Sequence, residues 1–140
     1  MNLRRKIAVL VSALALSVGG GVLAAPPAAA DEPCASNKLC LYRSTLYRTM
    51  EFSTGSVSHC WWLPDYNLGP HPWSGIVSYR NNLSVKATLW WVYQDDWNAT
   101  ALATISPGSH SSDTQGGHFA FDYSKAICTG DAKPWNHIAL

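Results

Sequence analysis

The sequence is short of charge. Asp, Glu, Lys and Arg make up 14 % of its 140 residues, and the formal net charge is +1. Arg4, Arg5 and Lys6 crowd the first few positions, so the remainder is slightly acidic. A chain without a basic face lacks what nucleic acid or an anionic membrane demands of a partner. No amphipathic helical stripe stands out. Beyond residue 30 no apolar run approaches the roughly 18 residues of a membrane span. Catalytic signatures are also missing: there is no His-Glu-x-x-His and no Gly-x-Ser-x-Gly elbow. No cysteine pair has zinc-site spacing, and His59, His71, His110, His118 and His137 are scattered. Asp95 and Asp96 are adjacent, so on a strand they would face opposite ways instead of working as a carboxylate pair. The expectation is a protein that is not an enzyme and uses no metal or cofactor.

What is present begins at the N-terminus. A basic start, the apolar run Ile7 to Leu16, the break Gly19 to Gly21 and Ala28-Ala29-Ala30 have the layout of a secretory signal peptide. Residues 1–30 are expected to be removed, leaving an extracellular, monomeric domain over 31–140 that begins at Asp31. About 110 residues make one small domain, which buries too little surface to dispense with covalent staples. Cys34, Cys40, Cys60 and Cys128 then read as two disulfides, with three pairings open. We favour Cys34–Cys40, closing a short loop, with Cys60–Cys128 tying the middle of the chain to its far end.

The rest reads as short strands between turns, an all-β sandwich. Lys38 to Ser44, Gly75 to Asn81, Val85 to Gln94, Thr100 to Gly108 and His118 to Cys128 carry the strand signals. Turns are expected at Arg80-Asn81-Asn82, Ser106-Pro107-Gly108 and Gly116-Gly117, and 129–140 is expected to be a loosely packed tail. A weak internal repeat sets Tyr42 and Tyr47 against Tyr93 and Trp97. Trp90 and Trp91 lie mid-strand, so one must face in and the other out.

Taken in order, "LCLYRSTLY", "CWWL" at Cys60 to Leu63, "SYRN" at Ser78 to Asn81, "TISPGSHSS" at Thr104 to Ser112 and the closing Cys128 resemble a known family. It is the secreted bacterial peptidase-inhibitor family with a βγ-crystallin-like fold, whose named member inhibits metalloproteinases. The resemblance implies one domain of two Greek-key units. Two departures stand out. Where a crystallin unit would hold calcium, this chain has Trp73 to Ser78, and the second half offers only Asp122; neither supplies the carboxylates. The inhibitory member carries its reactive bond on a short disulfide-closed loop, and the only such loop here is Cys34 to Cys40.

The expected function is therefore inhibition of an extracellular protease through an exposed segment. The expected contacts lie in Cys60 to Pro64: one of Trp61 and Trp62 meets the enzyme while the other packs inward, Leu63 is a partner candidate that also reads as a core residue, and Pro64 stiffens the exit. The alternative is a non-catalytic module for extracellular glycan or cell wall, using exposed tryptophans such as Trp73 and Trp97. A purely structural secreted protein is the third reading.

Overall fold

The computed structural model describes residues 31–68, 75–93, 98–120 and 124–137. Residues 1–30, His71, Trp73, Asp95, Asp96, Trp97 and Asp122 lie outside these residues. Strand β1 (Leu39–Ser44) turns into β2 (Arg48–Thr54). Strand β3 (Cys60–Trp62) runs into a single 3₁₀ turn at Leu63–Asp65, and β4 (Ser78–Asn81) ends the first half. The second half holds β5 (Ala87–Val92), β6 (Ala99–Ile105), β7 (His110–Ser111) and β8 (Lys125–Thr129), then a one-turn helix α1 (Pro134–His137). The strands form two antiparallel four-stranded sheets, A in the order β2-β1-β4-β7 and B in the order β3-β8-β5-β6. Each half thus lends its third strand to the other half's sheet.

The sheets share one ladder plan. Leu39 faces Thr54 and Asn81 in sheet A, as Ala87 faces Ile105 and Thr129 in sheet B. Both hairpins carry a bulge at the same step, between Leu41 and Tyr42 and between Leu89 and Trp90. The internal repeat is real in the backbone, but its register differs from the sequence pairing. Ladder position makes Trp90 the counterpart of Tyr42, where the sequence had suggested Tyr93. Tyr93 lies beyond the end of β5, so the spacing match was not a structural one.

The core lies between the sheets. Leu39, Leu41 and Phe52 of sheet A meet Ala87, Leu89, Ile105 and Ile127 of sheet B, with Leu63, Leu68, Ile76 and Leu83 filling in from the connections. Burying each large side chain contributes roughly 1.5–3 kcal/mol. Alternation then sends Tyr42 and Trp90 to the outer faces, because Leu41 and Leu89 beside them point in.

On sheet A the outer face is closed by its own hairpin. Leu46, Tyr47 and Thr49 all have φ near +57° (57°, 56° and 57°), a region that costs a non-glycine residue roughly 1–2 kcal/mol. Polar contacts hold them there. Buried Ser78 donates from Oγ to Ser44 O at 2.6 Å and accepts from Tyr47 N at 3.2 Å. The Glu32 carboxylate accepts from Thr49 N (3.0 Å) and Met50 N (2.7 Å). The Tyr47 ring meets Tyr42 edge-on at 5.7 Å, under the Arg80 guanidinium. Burial pushes the Tyr42 phenol above its ordinary pKa, against the opposing pull of Arg80, and its hydroxyl donates to Glu32 O. Ser78→Ala removes both hairpin bonds, so it should lower stability by about 1–3 kcal/mol, read as a reduced urea midpoint.

Thr129 to Pro134, within the segment expected to hang loose, are anchored. Thr129 completes β8 and is fully buried, and Ala132 and Pro134 are buried as well. Gly130, at φ +63°, has no room for a Cβ against the Val57 carbonyl and donates from N to Lys86 O at 2.8 Å. These contacts fold the chain back over sheet B.

Candidate functional site

The tryptophans of β3 divide by alternation. Trp61 pairs with Ile127 and faces in, packing on Phe52 at 5.3 Å and on His59 at 4.8 Å. Trp62 pairs with Ala126 on the outer side and is half-buried. Leu63 is 1 % exposed in the core. Its expected contact with a partner is corrected: an apolar side chain at the start of the 3₁₀ turn has the core beneath it. Pro64, half-buried, opens that turn, which Tyr66 N closes onto Leu63 O at 3.1 Å. Burial also lifts the Tyr66 phenol above its ordinary pKa. Cys60 to Pro64 is an edge strand and a tight turn, not a projecting loop. Trp73 and Trp97 lie outside the described residues.

The ladder brings other residues together on the outer face of sheet B. One row across the strands reads Trp62, Ala126, Trp90, Ala101; the next reads Cys60, Cys128, Thr88, Thr104. With strands about 4.8 Å apart, Trp62 and Trp90 stand on either side of the small Ala126. The Cys60–Cys128 disulfide joins the second row and packs with Ala132 and Trp90. Trp91, on the Leu89 side, packs at the sheet's end with Tyr93 and the Lys125 ammonium. Helix α1 lies against β3 and β8, and its Trp135 meets Trp90 edge-on at 5.9 Å.

Beside this contact lies a cleft of about 420 Å³, floored by Thr88, Trp90, Ala101 and Thr104 and walled by Gly130 to Lys133. Lys86 and Asp131 pair across its edge at 3.1 Å, both well exposed. Lys133 lies 5.3 Å over the Trp135 ring. The Trp90 Nε1–H is shut from solvent without an acceptor, a cost of about 1–3 kcal/mol for a buried donor. Sequence reading did not bring Lys86, Asp131, Lys133 or Trp135 to this site. The aromatic and the lysine of "GDAKPWNH" were visible, but nothing in their spacing says which sheet they cover.

A second feature lies on the N-terminal side. Cys34–Cys40 closes a loop on which Ala35, Ser36, Asn37 and Lys38 are all exposed, with Asn37 at φ +61°. Asn82 holds it from behind. Its Nδ2 donates to Cys34 O at 3.1 Å and Ala35 O at 3.0 Å, and its backbone N donates to Lys38 O at 2.8 Å. Among the described residues no three His, Cys, Asp or Glu side chains gather as a metal site. No helix there is long and apolar enough to cross a membrane.

Comparison with protein-family models, curated proteins and solved structures finds no match.

Proposed function

We propose that the chain is an exported peptidase-inhibitor-like domain of double Greek-key, crystallin-like topology, and that its protease contact is the loop Cys34 to Lys38. The topology is supported by the exchange of β3 and β7 between two sheets of equal plan. Export is supported by the leader pattern and by two disulfides, which persist in oxidising compartments.

The Asn82-pinned loop carries the inhibitory reading. An inhibitor must present a substrate-like segment whose ordering costs little on binding. Here a disulfide closes the segment and one side-chain amide fixes two successive carbonyls, leaving four side chains facing out. The Cys60 to Pro64 segment lacks that exposure.

Titration of secreted metallo- and serine proteases with the oxidised mature protein tests this. Inhibition at micromolar protein is expected, weakened about tenfold by Asn82→Ala, which frees the loop at a cost of order 1.4 kcal/mol. Any slow cleavage should map within Ala35 to Lys38. No inhibition across the panel would sink the proposal.

A further inference from the structure

We propose that the cleft between sheet B and the segment Gly130 to Lys133 is a saccharide site, selective for a sugar bearing a carboxylate. The inference stands apart from protease inhibition, because the cleft and the Cys34–Cys40 loop belong to different sheets.

The volume is the first argument. About 420 Å³ lies within the ordinary range for small-ligand sites. The chemistry of the lining is the second. Trp90 on the floor supplies aromatic surface against which the C–H face of a pyranose packs, and Trp135 beside the cleft holds that ring edge-on. Thr88 and Thr104 hold hydroxyls on the floor, each able to donate and accept, which suits a ring of hydroxyl groups.

Charge selects among sugars. Asp131 is matched by Lys86 at 3.1 Å. Lys133 has only the Trp135 ring beneath it among the described contacts, so the mouth carries one positive charge in excess. A carboxylate entering there gains a charge-assisted hydrogen bond that a neutral sugar cannot form. An enclosed apolar ligand would leave the two threonines and the Lys86–Asp131 pair without a role.

The test uses the oxidised mature protein with two probes, trigalacturonate and chitotriose, at low ionic strength. Binding is read by tryptophan emission and by the indole N–H resonances. Trigalacturonate should bind in the millimolar range or tighter, shifting the Trp90 indole resonance. Lys133→Glu should weaken it at least fivefold. Trp135→Ala, at a side chain 45 % exposed and so tolerant of truncation, should abolish the Trp90 shift. Protease inhibition, if present, should be unchanged in both variants, which separates failure of one reading from failure of the other. The proposal is overturned if neither probe binds at ten millimolar or so, if chitotriose binds and trigalacturonate does not, or if both variants bind trigalacturonate as the parent does.

Discussion

Replacing Cys60 and Cys128 together by alanine should lower stability by about 4 kcal/mol on the chain-entropy account of a long closed loop. The two cysteines are 68 positions apart, whereas Cys34 and Cys40 are separated by only 6. Removing the shorter bridge should cost about 2 kcal/mol on the same account. Two features single out the longer one. It fastens β3, an edge strand from the first half, to β8 at the heart of the second half's sheet. It also packs under Ala132 and against Trp90, so its loss loosens the final turn. For a domain whose total stability is of order 5–15 kcal/mol, the change is a large share. Urea unfolding of the two double variants measures both losses, and equal midpoints would contradict the ranking.

Asn81→Asp should be nearly as damaging. Asn81 is fully buried at the end of β4. Its Nδ2 donates to Val85 O and Ile105 O at 3.0 Å each and to Ser106 O at 3.2 Å, while Oδ1 accepts from Leu83 N at 3.1 Å. One amide therefore stitches the β4–β5 connection to the end of β6. A carboxylate of the same shape cannot donate, and it would set a negative charge against three carbonyl oxygens. An uncompensated buried charge costs about 3–5 kcal/mol. The variant should also acquire a pH dependence. Its new carboxyl is held protonated in the folded state, so its pKa there exceeds the unfolded value of about 3.9. The fold then binds the proton more tightly than the unfolded chain does. The deficit relative to the parent is smallest at acid pH and grows as pH rises through and beyond that value. Paired denaturation curves at acid and neutral pH would show it, and a pH-independent deficit would refute it.

The same asparagine shows where sequence reading stops. Arg80-Asn81-Asn82 carries a turn signal, yet Arg80 and Asn81 end a strand and their neighbour braces a loop 47 residues upstream. Asparagine favours turns because its amide competes for backbone groups. In this fold it does so across strands, which no local pattern can reveal. Strands β1, β5 and β6 were legible within a few residues, as was the disulfide pairing. β2 was not: Arg48–Thr54 mixes charged and polar residues, and its pairing with β1 turns on a hairpin held at unfavourable φ. Of the residues expected to touch a partner, Trp62 keeps an outward position, Trp61 and Leu63 turn to the core, and the cleft on sheet B is walled by Gly130 to Lys133, from a segment without periodicity.

Strand exchange also sets an order in time. Sheet B has β8, the last strand to be made, in its second position, so β3 has no partner until residue 125 and beyond have emerged. Cys60 waits through that interval as a lone thiol with Cys34 and Cys40 within reach. Closing a loop of a few residues is far faster than closing one of many tens. Early closure of Cys34 onto Cys40 removes the only competitors, and leaves Cys60 a single permitted mate.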